Sequence, residues 1–250
     1  MSFFKEIKIK IYSRLVSKFS KIDRWGISYA TLSGNGIEIG AMDLPLRLKK
    51  GVRVKYLDRI SKADSAKIFP DIQNSLVDVD IIGNGETLEV VQSESQDFVI
   101  GNHFIEHTEN PVATIKNMLR VVRPGGRIFM AIPDKRFTFD EKREITSVSH
   151  FIKDYEEGPK WSEHGHYFDF VKHTDHGIGK SDVEIEEVIK NLKEKNWSIH
   201  YHVWDHQAMI DMFCMIKNHF GFAFEIEVAV APRKGGNESV FVLRKDLKGN

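Results

Sequence analysis

The sequence predicts one α/β domain: a doubly wound, mostly parallel seven-stranded sheet with an antiparallel last strand and an inserted lobe. Three observations carry that expectation. Short apolar runs alternate with a helical stretch in strand-helix-strand order, which implies parallel strands joined by right-handed crossovers. The last two strand-like runs are joined by a short link rich in Gly, Pro and Asn, which suits an antiparallel hairpin. Between these halves lies Asp134 to Trp204, rich in histidine and aromatics and poor in clean periodicity.

Each segment has its own reason. In residues 1–33, Phe4, Ile7, Ile11, Leu15, Phe19 and Ile22 recur at threes and fours, and the polar positions are mostly Lys and Arg, so an amphipathic basic helix is expected. It is read as packed on the domain, with peripheral contact to an anionic membrane as the alternative. Residues 34–133 form the ligand-binding half, with strands at Ile37 to Gly40, Val52 to Leu57, Val79 to Ile82, Phe98 to Gly101 and Arg127 to Ile132. The segment Pro111 to Val122 has helical spacing, with Pro111 suited to a first turn. Residues 134–204 are the insertion, placed over the carboxyl edge of the sheet, where open parallel sheets bind ligands. In 205–250, Asp205 caps a helix through His219 that stops near Gly221, and strands follow at Phe224 to Ala231 and Val240 to Leu243.

Composition narrows the function. At 250 residues with 41% hydrophobic and 29% charged side chains, the chain can bury a full core. Lys+Arg 36 against Asp+Glu 36 leaves no global field to attract nucleic acid. A single cysteine, Cys214, excludes an internal disulfide or a thiolate metal cluster and suits a cytoplasmic location. No apolar run reaches the length of a membrane span, and no signal-peptide core is expected at the start.

The first strand closes in Glu38-Ile39-Gly40-Ala41, and the second ends in Asp58, 20 residues after Glu38. A glycine there lets backbone approach a ligand, and an acid at the next strand end can accept both hydroxyls of a ribose. The later glycines of a dinucleotide fingerprint are missing, and Asp43 and Pro45 follow instead, so pyrophosphate is disfavoured and a nucleoside without phosphate fits better.

These residues, in order and spacing over about Gly34 to Pro133, resemble the class I S-adenosylmethionine-dependent methyltransferases. The resemblance is to the small-molecule branch found among bacterial surface-polysaccharide genes. Glu38-Ile39-Gly40 is similar to the first cofactor motif and Tyr56-Leu57-Asp58 to the ribose-binding acid. Gly83 to Leu88 sits at the adenine loop, Asp97 to Ile100 with Asn102 to His107 at the fourth strand, and Leu119 to Gly126 at the turn into the fifth. The resemblance implies a Rossmann-like fold, S-adenosylmethionine as cofactor, and Glu38, Gly40, Ala41, Asp58, Asn84, Gly85, Asn102 and His103 as the residues around it. Two departures stand out: only the first glycine of the glycine-rich turn is kept, and Asn84 stands where the family often has Asp.

Eight of 11 histidines fall between His150 and His206, where even spacing would put about two or three. His200 and His202 would face one side of a strand, His164 and His166 repeat the spacing, and His150 and Asp154 would share a helix face. Three readings stay open: a general base for methyl transfer to a hydroxyl, a metal site completed by a carboxylate, and a hydrogen-bonded scaffold. The base reading is carried forward on His150, His166 and His202, with no metal assigned. Arg136 and Arg143 are either a fork for a phosphate or carboxylate of the acceptor, or are solvated or paired with Asp140 and Glu144. Stretches similar to Pro133 to Asp140, His150 to Tyr155 and His200 to Trp204 also occur in the polysaccharide-associated branch. They imply O-methylation of a sugar or related small molecule in capsule or O-antigen assembly. The alternatives are a phosphate or phosphoramidate acceptor, or a non-catalytic binding module.

Overall fold

A computed structural model describes residues 23–233 and 235–247. The proposed helix Phe4 to Ile22 lies outside the described residues. The seven strands are β1 (Asn35–Ile39), β2 (Arg53–Asp58), β3 (Ile81–Ile82), β4 (Gln96–Ile100), β5 (Val122–Pro133), β6 (Phe224–Val230) and β7 (Glu238–Lys245). They form one sheet in the order β3-β2-β1-β4-β5-β7-β6. The first five are parallel, and β7 runs antiparallel to both β5 and β6. The topological switch lies between β1 and β4, so the carboxyl ends of β1, β2 and β4 surround a natural ligand crevice.

Among the described residues there are seven α-helices: α1 (Arg24–Thr31), α2 (Lys62–Ile68), α3 (Pro111–Val121), α4 (Val148–Glu157), α5 (Glu163–His173), α6 (Asp182–Glu194) and α7 (His206–Phe220). Their starts are written in the sequence. Asp23, Ser61, Asn110, Ser147, Ser181 and Asp205 each accept a backbone N–H of the first turn, and Ser181 with Glu184 closes a capping box. Pro111 opens α3 where its missing N–H costs nothing. Gly221 ends α7 at φ +69°, a conformation that a side chain disfavours.

The period of two along the strands divides the core. Val99, Ile128, Met130, Ile132, Phe241 and Leu243 face α3 and α7, while Phe98, Ile100, Phe129, Ala131, Val240 and Val242 face α1 and Leu46. A third cluster, built from Tyr167, Phe170 and Val171 of α5, Ile185, Ile189 and Leu192 of α6, and Ile199, packs the helices that lie between β5 and α7.

Three expectations need correction. The fifth strand begins at Val122 rather than Arg127, because Val122 already pairs with Gln96 before an irregularity of register carries the strand through Gly125-Gly126. The third strand shrinks to two residues at the sheet edge. Residues His200 and His202 are not on a strand: no ladder partner lies beside them, and the two rings go to different partners.

Candidate active site

The carboxyl ends of β1, β2 and β4 open into a cleft of about 660 Å³, a volume in the range of small-molecule sites. Gly40, Asp58, Asn84, Gly85 and His103 line it, and these are five of the eight residues expected around the cofactor. Gly40 has φ +61°, and a Cβ built on it would meet nothing within 4 Å, so the space above the turn is open to a ligand. Met42 also takes a left-handed conformation, φ +50°, where an ordinary turn of this shape would use glycine. Asp58 sits at the last position of β2, and among the described residues its carboxylate accepts one hydrogen bond, a long one from the Ile60 N–H at 3.5 Å. Its carboxylate is therefore available to a diol. Asn84 Oδ1 already accepts the Glu86 N–H at 2.7 Å, which leaves the amide NH₂ and one oxygen lone pair for a ligand.

Glu38, Ala41 and Asn102 do not line the cleft; two of them brace it. Glu38 is buried and accepts the Leu46 N–H with both oxygens, at 3.0 and 3.1 Å, which holds the loop after Gly40. Burial raises its carboxyl to about 7, against the pull of that N–H, Arg24 and Asn102. Asn102 Oδ1 accepts the Ala131 N–H, and the His103 N–H donates to Ala131 O, so β5 clamps this pair from both sides. His103 is held at φ +46°, a conformation found in few non-glycine residues and concentrated at functional sites.

The His103 ring has Nε2 at 2.9 Å from Glu238 and Nδ1 at 3.6 Å from Glu106. Desolvation lowers its proton affinity, but the Glu238 hydrogen bond and the charges of Glu106 and Glu238 outweigh that, and the net direction is up. Glu106 is buried with neither oxygen hydrogen-bonded, and burial raises its carboxyl. His103 also lines a second cavity of about 500 Å³, bounded by Arg24, Trp25, Arg233, Asn237 and Glu238. The same imidazole thus stands between two spaces.

Sequence reasoning passed over several cleft residues. Glu86 and Phe104 lie in runs already singled out, whereas Ser198 comes from the lobe and carries no local signal. Burial first, then the charge of Glu109, raises Glu86 to about 7, against the pull of backbone N–H groups of Glu109 and Asn110. His107 also lines the cleft, with Nδ1 2.9 Å from Ile199 O and 3.0 Å from Ser198 Oγ, and burial lowers its imidazole to about 4.

His150, His166 and His202 do converge, but none lines this cleft. His150 Nε2 lies 3.0 Å from His166 Nε2 and 3.2 Å from Asp154 Oδ2, and His202 Nε2 lies 3.7 Å from the same oxygen. Asp169, three residues beyond His166, takes Arg143 and His173. His164 sits on the opposite, exposed side of α5 facing Glu186, because a helix turns residues two apart away from one another. Burial holds the His166 imidazole down at about 4 and that of His202 well below its usual range. His200 belongs elsewhere: its Nδ1 is 2.6 Å from Asp140, which also binds Arg143. Arg143 is buried and fully engaged by Asp140, Asp169 and His200 O, so it is no acceptor fork. Arg136 forks onto Asp134 rather than Asp140 or Glu144.

Residues 34–130 match the family described as a methyltransferase domain. A match to a methyltransferase domain implies S-adenosylmethionine as the methyl donor. An uncharacterized protein of Methanocaldococcus jannaschii is 31% identical over 127 residues, 48% of this chain and 56% of that protein. The chain therefore aligns with little more than half of that relative. Among solved structures, an S-adenosylmethionine-dependent methyltransferase from Methanosarcina mazei is similar at 15% identity and TM-score 0.46, over 88% of this chain and 96% of that one. Another, from Thermotoga maritima, is similar at 16% identity and TM-score 0.45, over 95% of each chain. Among the described residues no helix is long and apolar enough to cross a membrane.

Proposed function

We propose that the protein is an S-adenosylmethionine-dependent O-methyltransferase whose acceptor is a hydroxyl of a sugar or related small molecule bearing an anionic group. Surface-glycan assembly is the setting we favour. The single observation that carries the reading is His103, shared by the nucleoside-sized cleft and the adjoining cavity and paired with Glu238. When bound, the cofactor supplies a methyl group on a sulfonium centre, already activated for displacement. Gly40, Asp58, Asn84 and Gly85 would hold it: open backbone at the turn, a carboxylate for the ribose, an amide for the base.

What remains for the protein is positioning and one proton. Nε2–H of His103 donates to Glu238, which leaves Nδ1 bare to accept the acceptor's hydroxyl proton, and Glu106 stands near the imidazolium so formed. The base role therefore moves from His150, His166 and His202 to His103, because the three lie outside the cleft. Trp25 offers an aromatic face in the second cavity. Arg233, which makes no ion pair among the described residues, and Arg24, shared with Glu238, favour a phosphate or carboxylate on the acceptor.

The test is a mass-spectrometric screen of nucleotide sugars, sugar phosphates and oligosaccharides for a gain of about 14 Da, one added CH₂. With an acceptor in hand, His103→Ala should lower turnover by about 10² to 10⁴ and leave cofactor affinity unchanged. Cofactor binding without transfer to any acceptor, or full turnover by His103→Ala, would overturn the reading.

A further inference from the structure

The histidines away from the cleft pose a separate problem of proton counting. One nitrogen from each of His150, His166 and His202 and one oxygen of Asp154 lie within 4.8 Å of one another. His150 Nε2 faces both His166 Nε2 and Asp154 Oδ2, yet a ring nitrogen carries at most one hydrogen. Whichever contact that hydrogen serves, the other buried acceptor is left without a donor. Asp154 is fully buried, and its Oδ2 has no hydrogen bond; only Oδ1 is served, by Ser162 Oγ at 3.1 Å. His202 is 1% exposed and turns Nε2 to the cluster, 3.7 Å from Asp154 Oδ2, with Glu109 O at 3.3 Å from the same nitrogen. Unpaired buried acceptors of this kind cost several kcal/mol unless something positive lies among them.

We propose that His150, Asp154, His166 and His202 bind one zinc ion as a closed, four-coordinate site. Zinc takes imidazole nitrogen and carboxylate oxygen at about 2.0 to 2.2 Å in a tetrahedron, whose edges are then about 3.3 Å. The observed 3.0, 3.2 and 3.7 Å bracket that value. Three imidazoles with one carboxylate suit zinc and its transition-metal neighbours rather than magnesium or calcium, which prefer oxygen. Four protein ligands leave no open position, so the ion is structural: it fastens α4 and α5 to the segment 199–205. That segment carries Tyr201, whose N–H binds Glu106 O beside the cleft. The ion thus holds the lobe against the cofactor half, independently of what the cleft methylates.

The experiment is calorimetric titration of chelator-treated protein with Zn²⁺, with Co²⁺ substitution followed in the visible spectrum. One equivalent should bind, and the cobalt protein should show the intense bands of a tetrahedral site. Asp154→Asn and His166→Ala should weaken binding by more than the 10- to 100-fold typical of losing an outer-shell partner. The partly exposed ligand His150, whose truncation disturbs packing least, gives a second variant with the same expectation. His164→Ala and His219→Ala, on exposed histidines outside the cluster, should bind as wild type does. Absence of stoichiometric binding, equal affinity in His150→Ala, or loss of binding in His107→Ala, which belongs to the neighbouring Glu106–His107–His200 group, would overturn the proposal.

Discussion

At the scale of single residues, the buried carboxyl of Glu38 beside the cleft is tuned by burial and can be read by pH. Glu38 titrates near 7 in the folded protein and near 4.5 when unfolded, so between those values the folded state keeps a proton that the unfolded state has lost. Stability is full below about pH 4.5, falls as pH rises through the window, and levels off above 7. The Glu38 contribution is about 1.4 kcal/mol per pH unit there, about 3 kcal/mol in all. Glu38→Gln keeps an acceptor for the Leu46 N–H and should lose that part of the slope in urea unfolding at stepped pH. Parallel profiles for variant and wild type would show that Glu38 ionises freely. His103 has the opposite consequence for rate: a base that must be neutral, with its proton affinity raised by Glu238, gives kcat/KM that climbs as pH rises past the ordinary imidazole value. Glu238→Gln should move that limb to lower pH, whereas a merely structural Glu238 would leave it in place. Asp58 and Gly40 were legible because strand-end spacing fixes them. The pairing of His103 with Glu238 was not, since the two lie 135 residues apart.

Among elements, the lobe hangs on Arg143, buried and bound by Asp140 and Asp169 and to His200 O. Removing one partner of a buried ion pair leaves the others uncompensated, so Arg143→Met should destabilise by about 3 to 5 kcal/mol, read as a fall in urea midpoint. A loss below 1 kcal/mol would mean the network is solvated in solution. Helices and parallel strands were readable because caps and apolar periods are local: Asp205 and Gly221 bound α7 on both sides as expected. The segment 199–205 was misread because alternation of His and apolar residues mimics a strand. Its rings are placed by Asp140 and by the Asp154 cluster, two contacts far apart in sequence.

For the whole molecule, charge is balanced, the sheet runs β3-β2-β1-β4-β5-β7-β6, and two cavities adjoin at His103. A ligand that binds only the folded state adds about 2.7 kcal/mol at a concentration 100 times its Kd. For a chain of this length that should raise Tm by roughly 5 to 10 °C with S-adenosylhomocysteine, provided the cleft is the nucleoside site. The topology was legible from the order of strand and helix signals, whereas the cavities were not, because their walls come from segments as distant as Trp25 and Asn237. The central claim is tested most directly by calorimetric titration of S-adenosylhomocysteine into wild type and Asp58→Ala. The account predicts one site per chain in the wild type, weakened in Asp58→Ala by about 30- to 150-fold, or about 2 to 3 kcal/mol from lost charge-assisted ribose bonds. Absence of binding to the wild type, or equal affinity in the two proteins, would contradict it.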